Sequence, residues 1–434
     1  MKIKWMKDSN INEIWMNPKT ISKYNFVEKQ QIPITYGTLK VLKELKGNNT
    51  LQYNEVGVSP QFSQSIKLPD DVELHVQIKN GGVQFGPLIG MLLKKKFEKL
   101  SQKKLELLKE RIPNSDFDHG VVFVGALDSI NETNKLIKAY YYTKDHEWKE
   151  GIFPLPTVLY NRVYIKKNQL KLLKKGVKMQ VINNCLMSKS KLWRLLCKDS
   201  SINQHLPFTQ SLRDVNSFIV MVNHYETVYL KPTNLSRGRG ILQAKKMKLG
   251  FLIKDTNTRE QILFTENELS HFIETLTNKH PYIIQQGVPF TYENSLVDFR
   301  VYMQKDEAKE WNCSGIYGRV SKPNEVITNL KHSQKIVPVE DTLRKYFTLD
   351  QDRCNNVQTQ MIQVCKNVCV SLEKRRQSLA DVAIDIVLDE HLKVWVLEVQ
   401  VNYADDERLY HLPESIYKKV WQTPLYYAKA LTDF

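Results

Sequence analysis

No stretch of this 434-residue chain approaches the ~20 consecutive apolar residues of a membrane-spanning helix, so no membrane span is expected. The first ten residues, MKIKWMKDSN, lack the apolar core of a secretory signal. Cysteine is scarce: six residues, at 185, 197, 313, 354, 365 and 369, with no CxxC among them. That usage excludes a disulfide framework and suits reduced thiols in a cytoplasm. Cys365 and Cys369 stand four apart on an expected helix, but no His–Cys pair lies nearby in sequence. Two small buried thiols are therefore a simpler account than metal ligation. Internal repeats and low-complexity tracts are missing, as are helix-turn-helix, zinc-finger and RNP motifs. Neither a Walker A loop nor GxGxxG is present. No Ser/His/Asp or Cys/His constellation stands out.

Acid is in short supply relative to base. Lys and Arg number 63 against 47 Asp and Glu, a net charge of +16. Such a balance attracts anions without naming them. Basic runs stand at Lys94–Lys96, Lys166–Lys178 and Lys245–Lys248. Solvated helix faces account for most of them, and a phosphate-bearing ligand or an acidic protein for the rest. Nucleic acid is suggested by charge alone, so no specific nucleic-acid partner is expected. Apolar residues at 42% and charged residues at 25% belong to a soluble globular chain, long enough for two to three domains.

Residues 1–82 read as a β-rich module closed by the turn signal Asn80-Gly81-Gly82. Residues 83–184 read as an α/β region. In it a long basic helix is expected from about Met91 to Arg111, a buried strand at Val121–Val124, and a helix over Ser129–Ala139. From residue 185 to 434 the pattern sharpens. KSKLWRLLC (189–197) is a helix, and Val228–Lys231 is a strand stopped by Pro232. The loop Thr233–Ile241 follows, carrying Ser236, Arg237, Gly238, Arg239 and Gly240. Its glycines free the backbone to bend over a ligand, and its cations and N–H groups suit phosphate oxygens, with Lys231 in reach. Alone, a basic Gly-containing loop is weak evidence. Tyr282–Pro289 is a strand ending in a polar hinge whose backbone suits the edge of an adenine. Arg300, Arg319 and Asn329 sit on or beside consecutive strands, where single arginines read more simply as solvated surface groups.

Asp381–Asn402 reads as a hairpin turning near Glu390–Lys393. Strict alternation places Trp395, Leu397, Val399 and Val401 on one face, and Val394, Val396, Glu398, Gln400 and Asn402 on the other. Strand pairing would bring Asp385 near Glu398. Two half-buried carboxylates repel, and a hard divalent cation such as Mg²⁺ removes that cost. Taken alone, the hairpin reads better as an edge hairpin with a solvated polar face.

In this order and spacing, the pieces resemble the ATP-grasp superfamily, and most closely its endospore coat-associated YheC/YheD family. FGPLIG, W-x₂-GIFPLP and VLYNRV extend the resemblance toward the N-terminus. The resemblance implies an α+β fold in which two subdomains clamp ATP, preceded by the β-rich module and an α/β pre-ATP-grasp region. It implies that Lys231 and Lys191 neutralise ATP phosphates, and that Ser236, Arg237, Gly238, Arg239 and Gly240 close over them. Gln285, Gln286, Gly287 and Val288 would form the adenine hinge. Arg300 and Arg319 would face the transferred phosphoryl group. Asp385, Glu398, Gln400 and Asn402 would hold Mg²⁺, with Asn329 lining the same pocket. The implied activity is ATP-dependent ligation of a carboxylate to an amine or thiol through an acyl phosphate, by a cytoplasmic protein associated with the spore coat and its proteins.

The departures are specific. Gln400 replaces the Asn usual two residues after the metal-binding Glu, and Leu235 replaces a Gly before the serine. Lys331–Lys335 stands where a Gly-Gly pair is usual, and the 390–392 turn lacks its Gly. A diverged substrate explains these changes, and so does a catalytically degenerate protein that serves in coat structure or assembly.

Overall fold

Asn80 and Gly81 take left-handed angles, φ 52° and 69°, and join the paired strands His75–Lys79 and Gly82–Gly86 as a two-residue turn. The computed structural model describes residues 1–7, 9, 11–113, 119–184, 189–235, 239–256, 258–288, 291–323, 325, 328, 333–375, 378–403, 409, 412–432 and 434. Two units emerge. One comprises Met1–Asn184, Lys305–Glu310 and Trp421–Phe434, and the other Cys185–Gln304 and Trp311–Val420.

The first unit holds a seven-stranded sheet and a six-stranded sheet. Ile34 and Phe85 of the first share a core with Phe123 and Phe153 of the second. Two helix expectations are corrected here. The run Leu88–Lys94 is a strand, paired in parallel with Val158–Asn161 on one side and Val121–Asn131 on the other. It is apolar on both faces because both are covered, a pattern that short sequence windows cannot separate from a buried helix. Only Gln102–Leu108 of the expected basic helix is α-helical. Ser129–Ala139 is the end of one strand and the start of another, Leu136–Tyr142. The turn between them is organised by Asn131, whose Oδ1 accepts from the Thr133 and Asn134 amides. Close backbone approach decides Gly82, where a Cβ would meet the Pro33 carbonyl oxygen. Gly82→Ala is expected to destabilise the protein by about 1–3 kcal/mol, read from urea unfolding.

The second unit carries two sheets. The small one orders Thr209–Leu212, Tyr282–Gln286, Thr227–Pro232, Leu242–Met247, Gly250–Asp255 and Gln261–Phe264, all paired antiparallel. Helices Val215–Tyr225 and Glu266–Lys279 contribute Phe218, Leu269 and Ile273 to its core. The large sheet orders Ser333–Pro338, Trp311–Ser321, Ser295–Lys305, Asp381–Leu388 and Val394–Gln400. Its core includes Val357, Met361, Cys365 and Cys369 from the helix Gln351–Lys374. Cys365 and Cys369 are both buried there, as small apolar groups.

Candidate functional site

Alternation on Ser295–Lys305 sends Phe299, Val301 and Met303 into the core and Asp298, Arg300, Tyr302 and Gln304 to the opposite face. Arg300 is cross-strand partner to Asp385, and Asp385 in turn to Glu398. Three strands therefore bring Arg300, Asp385 and Glu398 into one row. Arg300 Nε and Nη2 donate to the two Asp385 oxygens at 2.8 and 3.0 Å. Arg319 Nε and Nη2 grip Asp298 at 2.7 and 2.6 Å, and the same Nη2 stands 3.3 Å from Asp385. Thr328 Oγ1 also donates to Asp298, and Gln400 Nε2 donates to Asp385 at 3.0 Å. All four charged groups are buried, with Arg300 at 3% and Arg319 at 2% exposure. Two arginines and two aspartates cancel each other's charge, so burial is tolerable only for the complete set.

Burial opposes the charge on Asp385, but Arg300 and Arg319 outweigh it and hold that carboxyl at about 2. Asp298 goes the other way. Burial raises it and its neighbour Asp385 adds to the rise, against the pull of Arg319. Asp298 and Thr328 were not singled out from sequence. The signal for Asp298 was present: an acid two residues before Arg300 on an alternating strand shares its face.

The Glu398 strand departs from strict alternation. Asp385 pairs with Glu398 but Ile386 pairs with Val396, so Leu397 is an extra residue, a β-bulge. Val394 and Val396 consequently enter the core together with Val399 and Val401, correcting the faces expected from alternation. The bulge presents Leu397 and Glu398 in succession to a cleft. Without its usual glycine, the 390–392 turn places Leu392 itself at φ 63°. Asp389 Oδ1 braces it by accepting from the His391 and Lys393 amides.

The cleft opens to solvent. Lys231, Gln285 and Glu398 are its polar lining, and Trp193, Ile241, Ile283 and Leu397 are among its apolar lining. Lys231 Nζ donates to Gln285 Oε1 at 2.5 Å, and Gln285 Nε2 donates to Thr209 Oγ1 at 2.9 Å. Burial pushes the neighbouring Tyr229 hydroxyl up to about 12, so it stays protonated, and Gln243 donates to it. The segment crossing between the sheets is pinned at both ends. Val396 N donates to His205 O, and His205 Nδ1 meets Val394 O at 2.8 Å. At the other end Gln286 N donates to Phe208 O, and Phe208 N to Gln286 Oε1.

The remaining expected residues fall as follows. Lys191 is exposed on the helix Lys189–Leu196, whose Leu192 and Trp193 line the cleft. The Gln286 and Gly287 amides already donate to the Phe208 and Thr227 carbonyls, and Val288 follows them. Arg239 is exposed beside Gly240, whose φ of 69° favours glycine and whose carbonyl accepts from the Tyr282 hydroxyl. Ser236, Arg237, Gly238 and Asn329 lie outside the described residues. Asn402 is half-buried, and its Oδ1 has no hydrogen-bond partner among the described residues. No group of three or more His, Cys, Asp or Glu side chains suited to a metal occurs among the described residues.

Comparison with known proteins matches a family model, "YheC/D like ATP-grasp", over residues 178–431, more than half of the chain. The chain belongs to the YheC/D-like ATP-grasp family. The ATP-grasp α+β architecture is thus shown. Among curated relatives, the endospore coat-associated protein YheD of Bacillus subtilis is 24% identical over 363 residues, covering 79% of this chain and 78% of YheD. The endospore coat-associated protein YheC of the same organism is 22% identical, covering 65% of this chain and 83% of YheC. Among solved structures, the chain resembles the VanG D-Ala:D-Ser ligase from Enterococcus faecalis at TM-score 0.45 and 10% identity, covering 79% of this chain and 98% of that one. No helix among the described residues is long and apolar enough to cross a membrane.

Proposed function

We propose that this protein is an ATP- and Mg²⁺-dependent ligase that joins a carboxylate to an amine or thiol through an acyl phosphate, in association with the spore coat. The observation that carries this reading is the cleft lined by Lys231, Gln285 and Glu398, with Glu398 paired directly to the Asp385 that Arg300 grips. The apolar wall of Trp193, Ile283 and Leu397 suits a flat base, and Lys231 suits its phosphates. Ser236, Arg237, Gly238, Arg239 and Gly240 are assigned to closing over those phosphates, and Gln285–Val288 to the adenine edge.

The donor set fits a hard divalent cation. The cross-strand carboxylates of Asp385 and Glu398, the Gln400 amide and the unpartnered Asn402 Oδ1 are all oxygen donors of the kind Mg²⁺ takes, and Asp385 would share its oxygens between the ion and Arg300. Asp385, Glu398, Gln400 and Asn402 are the residues that would hold it, and bound there it would supply positive charge opposite the phosphates. The chain's own part is positional. Lys231 orients the triphosphate. Arg300 and Arg319 use their Nε and Nη2 edges on buried acids, which fixes each guanidinium plane, and both are assigned to charge developing on the transferred group. ATP's terminal phosphoryl group passes to the substrate carboxylate, releasing ADP. The amine or thiol then attacks the carbonyl carbon, and phosphate leaves.

A second reading has its own observation. Arg300 and Arg319 are pinned by buried acids and Gln400 turns its amide nitrogen to Asp385, an arrangement that also suits a protein retaining the fold for coat assembly without turnover. Incubation with MgATP and a metabolite extract separates the two. The ligase reading expects ADP and phosphate in equal amounts, dependent on both Mg²⁺ and extract. Tight MgATP binding with no ADP release from any fraction would favour the assembly role.

A further inference from the structure

Between Glu150 and Asp199 the chain contains no Asp or Glu, yet lysines stand at 166, 167, 171, 174, 175 and 178. They surround the helix Lys167–Lys174 of the first unit, and all six are exposed. Leu173 is buried in the core of that unit, and Leu170 and Val177 pack against it, so the apolar side of the helix is already covered. Helical periodicity gathers Lys167, Lys171, Lys174 and Lys175 into one stripe along the outer side. None of the six lysines makes an ion pair among the described residues. Surface helices commonly relieve such charge with a glutamate four residues away, whereas like charges at that spacing repel. Lys167–Lys171 and Lys171–Lys175 are like pairs at that spacing. Lys167 also opens the helix at the positive end of its dipole, with no acid in the first turn. Lys135 adds a further cation, its Nζ donating to the Leu172 carbonyl at 2.9 Å, and Glu132 in the same connection forms no ion pair among the described residues. A face needed only for solubility gains nothing from this unrelieved repulsion.

We propose that this lysine stripe is a docking surface for an extended acidic segment of a partner protein. Successive lysines along it rise by roughly 4.5–6 Å. Same-face carboxylates of an extended chain recur at roughly 6.6 Å, within what flexible lysine stems can match one to one. The chemistry selects this occupant over the others. A second copy of the chain would bring lysines against lysines. A bilayer would need a free apolar face, and the helix uses Leu170, Leu173 and Val177 on its own core. A polynucleotide is better met by arginine forks and stacking rings. Here the six cations are all lysine, and Tyr164 is the one exposed aromatic ring between Glu150 and Asp199 among the described residues. Leu172, 50% exposed, stands at the margin of the stripe, where one aliphatic side chain of a peptide can cover it. None of this depends on the proposed nucleotide site, whose residues belong to the second unit.

The test is fluorescence anisotropy with the full chain, without ATP, at low salt and at about 0.3 M salt. The probe is a labelled peptide of about eight residues, with glutamate at alternate positions and one central leucine. Its companions are the same peptide without the leucine, an oligothymidylate of equal charge, and vesicles of phosphatidylglycerol and phosphatidylcholine. Lys167→Gln/Lys171→Gln/Lys175→Gln is compared with Lys245→Gln/Lys246→Gln/Lys248→Gln, which removes the same charge from exposed lysines of the second unit. The first is expected to weaken the peptide about tenfold, each exposed contact contributing about twofold, and the second to change it by less than about twofold. Leu172→Ser is expected to weaken the leucine-bearing peptide about threefold and to leave the leucine-free one unaffected. The stripe variant is expected to melt no lower than the parent, because it relieves repulsion. Should it melt lower, Lys171→Glu against Lys246→Glu carries the same comparison. Equal losses in the stripe and control variants, no peptide bound by the parent at low salt, or oligothymidylate or vesicles bound as tightly as the peptide would each overturn the proposal.

Discussion

Arg319→Met is expected to destabilise the protein by about 3–5 kcal/mol, because it strands two carboxylates in a buried site. Arg319 is the shared member of the four-charge cluster, making two short bonds to Asp298 and a third contact to Asp385. Without it, Asp298 keeps only the Thr328 hydroxyl among the described residues, and Asp385 keeps Arg300 and the Gln400 amide. Methionine preserves much of the volume, so the loss measures charge rather than a cavity. Urea unfolding of parent and variant reads it directly, and a loss below about 1 kcal/mol would mean that water reaches the cluster and screens it. The companion variant Arg319→Met/Asp298→Leu removes a charge of each sign. It is expected to recover part of the loss, since a buried pair replaced by apolar groups often costs little. This cluster also shapes how the site is probed. Asp385→Ala leaves two buried arginines short of countercharge, so a lost activity in that variant reports unfolding as readily as a lost ligand.

Lys231→Met carries the second large effect, a loss of about 10–100-fold in MgATP affinity. That range corresponds to one charge-assisted contact worth about 1.5–3 kcal/mol. Lys231 lies in the cleft lining, held by Gln285 and standing over the Tyr229 ring. Calorimetric titration with MgATP checks the affinity, and an unchanged thermal melt checks the fold. Unaltered affinity would remove the phosphates from the place assigned to them. Glu398→Gln is the matching variant on the opposite wall. It keeps the shape of the side chain, removes its charge, and is expected to weaken binding in Mg²⁺ while changing it little in EDTA.

Much of the site was legible because β-strand periodicity is simple. Alternation on 297–304 put Arg300 on the face opposite the core, and pairing of the 381–402 hairpin brought Asp385 beside Glu398. The failures have a common cause. Met91–Lys94, the second half of the strand Leu88–Lys94, was read as the start of a helix because a strand covered on both faces has no alternation to display. Val394 and Val396 were assigned the wrong face because one bulged residue shifts every side chain before it, and no local pattern announces a bulge. Asp298 escaped notice because an acid on a strand acquires meaning only when its partner is known, and Arg319 arrives from the next strand.

The linear chain by itself determined the family and supplied the lysine and carboxylates of the proposed nucleotide site. These depend on residue type and short spacing, which sequence records in full. Tertiary structure alone decided that the arginines are spent on buried acids and that a bulge turns Leu397 and Glu398 into the cleft. These features depend on residues well separated along the chain, and the strength of a charge pair is set by the burial that only the folded chain creates.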